Sequence, residues 1–333
     1  MRLFAQGFNN IDPLFQSIIF LLIACLAITV PVGWLANLTN GMIAPMITRF
    51  LFSGIGIFFI LNLGQKSDLG ISKRWVKYID IIIAGVLIAI ANFPILTLTQ
   101  GYASIDGTAL RWTTFVFTMI AVSAFEELFF RALIFSALIK FFTNKAKQDE
   151  YRKPLKNNSN QSNHTYEENK IESSCSDKTV EVIIDYCPQT KSSNYRHHKA
   201  NKNEITSIIL ALIISSAIFA LIHLFNLFHR APADVFLQLG YTFLLGLLFA
   251  VLYYLTKSII PSIIVHALFN IGGLMLAENA GLGNAQYIWT TTGVIVSAIT
   301  FSIAGIYITV RFMLEMRKTN SGDKISSQNL KKL

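Results

Sequence analysis

The sequence has few charged residues: Asp, Glu, Lys and Arg make up 14% of its 333 positions, whereas soluble domains carry about 25%. Hydrophobic residues reach 53%, and the mean hydropathy is +0.50. The expected solvent is therefore lipid. The net charge of +9 does not imply a nucleic-acid partner, and we expect none, because membrane proteins concentrate Lys and Arg in their cytoplasmic loops.

Cysteine is also scarce. Cys25, Cys175 and Cys187 are too few and too scattered for a disulfide framework. The histidines near the last two cysteines lack the spacing of a zinc finger. The first apolar segment is longer than the 7–15-residue core of a signal peptide. Because no clear cleavage site follows it, we expect it to be a retained span.

Long apolar runs dominate the rest of the chain. Crossing the hydrocarbon core takes about 20 mostly apolar residues in a helix. The runs are solid and lack the alternation of barrel strands, so we predict an all-α, polytopic membrane helix bundle. The eight expected spans cover residues 14–36, 43–63, 79–98, 113–140, 206–228, 235–256, 259–276 and 288–312.

The connections between these spans alternate in positive charge. Lys and Arg gather in 64–78, in 141–205, at Lys257 and after residue 316, while the other connections hold at most one. We therefore expect a multi-pass integral membrane protein with both termini in the cytoplasm. The expected membrane is a bacterial plasma membrane. Arg49 is the exception, about 10 Å inside span two. It either snorkels to the surface or pairs inside the bundle.

A polar segment rich in Asn, Ser and Lys interrupts the apolar runs over residues 144–204. It has too few large apolar side chains to offset the entropy of ordering, so we expect cytoplasmic disorder. The chain then divides into spans one to four, a polar insert, spans five to eight and a polar tail, at 1–140, 141–205, 206–316 and 317–333.

Ionisable side chains occur inside the fourth expected span, where each charge costs at least about 2.5–3.5 kcal/mol on insertion scales. Glu127 and Arg131 are four residues apart, so they share a helix face and can form an ion pair. Glu126 points about 100° away and is left without this partner. A carboxyl group in an apolar site beside a second carboxylate is suited to general acid or base catalysis near neutral pH.

Two further expected spans carry histidines. His223 lies in span five, and span seven places His266 and Asn270 on one helix face. Counted along their helices, Glu126 and His223 lie at equal depth in an antiparallel hairpin, about 22–24 Å from its turn. His266 and Asn270 lie somewhat nearer the cytoplasm. The three segments can share one cavity, and such intramembrane residues mark functional sites by default.

These polar residues form three motifs that resemble those of a known family. In chain order the motifs are E-E-x-x-x-R at 126–131, F-x-x-x-H at 219–223 and H-x-x-x-N at 266–270. Together they resemble the CPBP family, which includes type II CAAX prenyl endopeptidases and bacteriocin-processing or immunity membrane proteins. The resemblance covers roughly residues 108–276. The insert at 141–205 is longer than the link usual in that family.

The resemblance implies a glutamate-dependent intramembrane endopeptidase. Glu126, with His223, would activate a water molecule for attack on a peptide carbonyl. His266 and Asn270 would donate hydrogen bonds to the oxyanion that forms. The implied partners are the lipid bilayer and a membrane-associated protein or peptide as substrate, of CAAX type, a leader peptide or a bacteriocin-related peptide.

Three supporting residues are implied as well. Glu127 and Arg131 would orient the site, and Phe219 would pack beside the cavity, a position that ordinary packing explains nearly as well. No cofactor is required. A zinc-dependent membrane protease is an alternative, although no H-E-x-x-H segment occurs and a neutral asparagine is a poor zinc ligand.

Two non-enzymatic alternatives stay open at this point. The same family covers immunity or scaffold proteins, although the complete set of catalytic positions argues against that role. A transporter could use the carboxylates and histidines as a proton relay. It would favour inverted repeats and interrupted helices at corresponding positions of two halves, and the sequence shows neither.

Overall fold

Helices make up nearly all the regular structure in the described part of the chain. The computed structural model describes residues 10–29, 43–70, 72–159, 193–228, 230–276, 283–285 and 290–329. The α-helices are α1 (Pro13–Thr29), α2 (Ile43–Asn62), α3 (Arg74–Lys77), α4 (Ile79–Ala91), α5 (Ile95–Thr99), α6 (Ala109–Glu127), α7 (Ser136–Ser159), α8 (Ser193–Leu221), α9 (Pro232–Thr256), α10 (Ile260–Leu274) and α11 (Thr291–Asn329). A π-helical segment covers Leu128–Phe135, and 3₁₀ segments cover Lys66–Leu69 and Ile222–Phe228.

The helices form an integral membrane bundle. Among the described residues, four stretches are long and apolar enough to cross a bilayer: Ile43–Asn62, Asn203–Phe228, Pro232–Thr256 and Thr291–Lys318. Pro13–Ile28, Ile79–Ala91 and Ile260–Leu274 are shorter apolar helices. Large apolar side chains such as Leu51, Leu237 and Ile303 are at least 66% exposed, which suits lipid rather than water. The total of eight spans stays a prediction.

The third expected span, 79–98, is divided into two helices. α4 ends at Ala91 and α5 begins at Ile95, because Pro94 lacks an amide hydrogen and disfavours a helical residue before it. At this break the side-chain amide of Asn92 donates to the carbonyl of Phe269 in α10 (2.8 Å). The break therefore anchors the helix that carries His266.

One short sheet accompanies the helices. Strands β1 (Ala103–Ile105) and β2 (Gly283–Ala285) pair in antiparallel fashion. They are the only strands among the residues described, and three residues each are too few to show a predictive alternation. The pair joins the connection after α5 to the connection after α10, so these two loops lie at the same end of the bundle.

The opposite end gathers the positively charged connections. The backbone amide of Ile259 donates to the carbonyl of Asp68 (2.8 Å), and Lys77 forms an ion pair with Glu315 (2.8 Å). The alternation of charged and uncharged connections requires such a separation into two ends. Which end faces the cytoplasm stays a prediction.

The helices that flank the polar insert extend into it. α7 continues to Ser159 and α8 begins at Ser193, so the structure shows helix over 144–159 and 193–204, where the sequence predicts disorder. Each residue added to an existing helix gains a hydrogen bond without a new nucleation cost. The rest of the insert, including Cys175 and Cys187, lies outside the described residues.

Phenylalanine rings fill the core beside the acidic pair. Phe125, Phe129 and Phe249 are fully buried, and Phe219 is 2% exposed. Close contact between α8 and α9 depends on Gly246, where a Cβ atom would lie 3.0 Å from the Cβ of Ser216. The ionisable side chains are therefore surrounded by a tightly packed, apolar core.

Candidate active site

The acidic pair lies where the helix type changes. α6 ends at Glu127, and the π-helical segment Leu128–Phe135 follows before α7 begins. All eight residues of this segment are buried. π-helical turns are rare and occur frequently at functional sites. No pattern in the sequence predicts this segment, because periodicity distinguishes helix from strand rather than one helix type from another.

Glu127 and Arg131 form a buried ion pair at this junction. The Nε atom of Arg131 lies 3.4 Å from Oε2 of Glu127, and both side chains are 0% exposed. The guanidinium carbon lies 4.2 Å from the ring centre of Phe219 and 5.6 Å from that of Phe249. Two aromatic faces and one carboxylate thus compensate a charge that would otherwise be costly to bury.

His266 bridges the two glutamates. Its Nδ1 lies 2.9 Å from Oε1 of Glu127, and its Nε2 lies 3.4 Å from Oε2 of Glu126. An ionised carboxylate only accepts hydrogen bonds, so the N–H at Nδ1 donates to Glu127. The ring also stacks on Phe249, with centroids 4.7 Å apart. The imidazole is therefore held in one orientation, with Nε2 directed at Glu126.

His223 lies at the start of the 3₁₀ segment Ile222–Phe228, which directly follows α8. Its Nδ1 lies 3.0 Å from the backbone carbonyl of Phe219, and since a carbonyl only accepts, the N–H at Nδ1 donates. The lone pair of Nε2 is thereby left to accept a proton. No hydrogen bond or ion pair joins His223 to Glu126 among the residues described.

The ring of Phe219 stands between the two histidines. Its centroid lies 5.3 Å from that of His223 and 6.0 Å from that of His266, both in edge-to-face arrangement. The same ring faces the guanidinium of Arg131. Phe219 therefore contacts three of the six other predicted site residues, which is more than its position one turn before His223 indicates.

Asn270 joins the group through a serine that sequence reasoning missed. Its side-chain amide donates to the hydroxyl of Ser123 (3.3 Å), and Ser123 is fully buried. Ser123 lies four residues before Glu127, on the same face of α6. A polar residue at that spacing in an apolar run could have indicated it. Phe249 was missed too, but an aromatic residue in an apolar helix gives no such indication.

Arg49 packs inside the bundle rather than snorkelling to the surface. Its Nη1 donates to the carbonyl of Ala27, in the last turn of α1, and its guanidinium carbon lies 5.0 Å from the ring centre of Phe125. Its positive charge also interacts with Glu126. The site thus has a second cation, Arg49, which interacts with Glu126, whereas Arg131 pairs with Glu127.

In the described ranges, no group of three or more His, Cys, Asp or Glu residues is arranged to hold an ion. Both nitrogens of His266 are directed at the two carboxylates.

A protein-family model matches part of the chain. It is described as type II CAAX prenyl endopeptidase, Rce1-like, and it matches residues 187–272. This match confirms the predicted resemblance to type II CAAX prenyl endopeptidases over that region. The matched region covers about a quarter of the sequence. It includes His223, His266 and Asn270, but it begins about 60 residues after the Glu-Glu motif. No curated protein and no solved structure matches the chain.

The match to the Rce1-like model supports a membrane-embedded peptidase in general terms, since that model describes endopeptidases. The Glu-Glu motif lies outside the match, and the structure brings it within 3.4 Å of a histidine inside the match. The two parts of the expected family pattern therefore meet at His266.

Proposed function

We propose that the chain is an intramembrane endopeptidase that hydrolyses a peptide bond in a membrane-associated protein or peptide. The observation that carries this proposal is the contact of His266 with both Glu126 and Glu127. It places a histidine of the protease-family region against two carboxylates in an otherwise apolar core. The protein is proposed to lie in a bacterial plasma membrane with both termini in the cytoplasm.

Glu126 is the proposed general base. Its side chain is 14% exposed, whereas that of Glu127 is 0% exposed, so water and substrate reach Glu126 more easily. The carboxylate takes a proton from water while the water oxygen attacks the peptide carbonyl carbon. It then returns the proton to the leaving amine nitrogen. His223, with its free Nε2 lone pair, is the proposed second acceptor for that proton.

His266 and Asn270 are the proposed donors to the oxyanion. With Nδ1–H donating to Glu127 at 2.9 Å, the donor of His266 to the oxyanion would be a proton at Nε2, which lies 3.4 Å from Oε2 of Glu126. Asn270 donates one amide hydrogen to Ser123 and has a second for the oxyanion. Glu127 and Arg131 orient His266.

The proposed reaction is tested by comparing cells that produce the natural chain with cells that produce the Glu126→Ala variant. We expect an uncut membrane-associated protein or peptide to accumulate with the variant, because water activation is lost. Quantitative mass spectrometry of the membrane fraction measures it. Normal processing in the variant would exclude this enzyme, and loss of cleavage by the natural protein on exhaustive chelation would favour the zinc alternative.

The hydroxyl of Ser123 gives a second test. Replacing Ser123 with alanine removes one hydrogen bond from Asn270, so we expect kcat/KM to fall roughly 2–12-fold, the equivalent of one ordinary hydrogen bond. Steady-state cleavage of the identified substrate by purified protein measures the effect. Ser215→Ala is the matched control, since Ser215 is equally buried but donates within α8. An equal loss in both variants would contradict the positioning role.

A further inference from the structure

Three basic side chains line a cavity at the end of the bundle where the positively charged connections meet. Its volume is about 320 Å³, and Arg74, Lys77 and Lys257 lie on its wall with Tyr78, Tyr254 and Glu315. We call it the basic cavity. It lies just beyond α9, which ends at Thr256, and beside the last turn of the apolar stretch Thr291–Lys318.

Positive charge in the basic cavity exceeds negative charge. Glu315 is the lining carboxylate, and it is already paired with Lys77 at 2.8 Å and with Lys318 at 3.2 Å. Within the described ranges, Arg74 and Lys257 have no ion pair with a carboxylate. Two basic groups that face one cavity without a carboxylate partner create a position that an anion would stabilise.

Two properties of Lys257 are unfavourable in this position: the burial of its charge and the conformation of its backbone. Burial lowers the pKa of its ammonium group, and the nearby guanidinium of Arg74 lowers it further, while Asp68 acts in the opposite direction. Its backbone is also left-handed, with φ 50° and ψ 41°, alone among the described non-glycine residues. Glycine or asparagine usually occupies this position after a helix. A lysine held there against its backbone preference points to a use for its charge.

The surroundings of the basic cavity are those of a membrane interface. Leu255 and Met316, both buried, also line it. The tyrosines of its wall are typical of the level of lipid headgroups. On the adjoining helices α3 and α4, Val76 is 83% exposed and Ile79 is 51% exposed. These apolar side chains project beside a basic cavity at the end of spanning helices. Such a combination would bind an amphiphile, because the apolar side chains would contact its acyl chains.

We propose that the basic cavity binds the phosphate of an anionic phospholipid headgroup. The guanidinium of Arg74 and the ammonium of Lys257 provide charge-assisted donors to the phosphate oxygens, and Tyr78 and Tyr254 flank the glycerol. Free inorganic phosphate has the same oxygen chemistry but makes no use of the apolar neighbours. This proposal does not rest on peptide hydrolysis, and its test uses binding rather than activity.

The test measures thermal unfolding of the purified full-length protein in detergent with one added probe at a time. The probes are phosphatidylglycerol, phosphatidylcholine and inorganic phosphate. We expect phosphatidylglycerol to raise Tm by on the order of 3 °C at saturating concentration, because a ligand of the folded state stabilises it. Phosphatidylcholine is expected to give a smaller rise. If inorganic phosphate raised Tm as much as phosphatidylglycerol, the cavity would be a site for the free phosphate ion, and the proposed lipid ligand would be wrong.

The variant Arg74→Gln/Lys257→Gly removes the two basic groups that have no carboxylate partner and places glycine where the backbone is left-handed, so it is expected to fold. It should lose the response to phosphatidylglycerol. Lys66→Gln/Lys73→Gln removes two exposed charges of the same connection and should keep the response. Equal loss in both variants, or no response of the natural protein to any anionic probe, would overturn the proposal.

If the first variant does not fold, native mass spectrometry of the natural protein replaces it. We expect the protein to retain one phosphatidylglycerol in preference to phosphatidylcholine. We expect the bound lipid to be lost when glycerol phosphate, an anion with the same phosphate group, is added as a competitor. Equal retention of both lipids would contradict a site for an anionic headgroup.

Discussion

The Glu126→Gln variant is expected to cleave the substrate with a kcat roughly 10²–10⁴-fold below that of the natural protein, the usual contribution of a positioned general base. Glutamine has nearly the same size and shape but cannot take a proton from water. Its amide can still contact His266, which lies 3.4 Å from the carboxylate in the natural chain. Single-turnover cleavage of the substrate in detergent or reconstituted vesicles measures the loss.

The same experiment separates a chemical role from a structural one. Glu126 is partly accessible, so Glu126→Gln should unfold at nearly the same temperature as the natural protein. Glu204→Gln, a change of an exposed glutamate on α8, is the matched control and should keep full activity. A Glu126→Gln variant that retains more than about a tenth of the activity would contradict the assignment of the base.

Much of the fold follows from apolar run length alone. The expected spans 43–63 and 235–256 coincide within three residues with α2 and α9, because a lipid-crossing run needs its apolar residues to be continuous. The ion pair between Glu127 and Arg131 also follows from the sequence, since residues four apart lie on one helix face whatever the tertiary structure. Local geometry of this kind is available before any packing is known.

Contacts between helices are harder to predict than contacts within one. Residue counts place Glu126 level with His223, yet the histidine that contacts Glu126 is His266. An error of two or three residues at a helix end moves a side chain about 3–5 Å along the axis, and residue counts do not fix the rotation or tilt of a helix. The π-helical segment after Glu127 adds a local change in register that hydrophobic periodicity does not reveal.

Positioning residues without charge were missed for a related reason. Ser123 and Phe249 are ordinary members of apolar helices, and their roles depend on which residues of other helices face them. Ser123 is the partner of Asn270 only because α6 packs against α10. Phe249 supports His266 only because α9 brings its ring parallel to the imidazole, with 21° between the planes. Sequence alone defines the charged members of the site, and packing defines the rest.

The Arg131→Met variant is expected to lose stability by about 3–5 kcal/mol, the usual cost of breaking one partner of a buried ion pair. Methionine fills much of the space between Phe219 and Phe249, but it leaves the carboxylate of Glu127 buried without its cation. His266 alone then faces that charge, at 2.9 Å. Thermal unfolding in detergent measures the loss, with the yield of folded protein as a second readout.

Replacing both Glu127 and Arg131 decides whether lost charge pairing or lost packing causes the stability loss in Arg131→Met. In Glu127→Gln/Arg131→Met no unpaired charge is left in the core, so we expect most of the lost stability to return. Activity should not return with it, because the carboxylate that accepts from Nδ1 of His266 is gone and the imidazole is no longer held in its orientation. If the double variant were as unstable as Arg131→Met, the stacking of the guanidinium on Phe219 would account for the stability. The pair would then support the site through packing instead of charge.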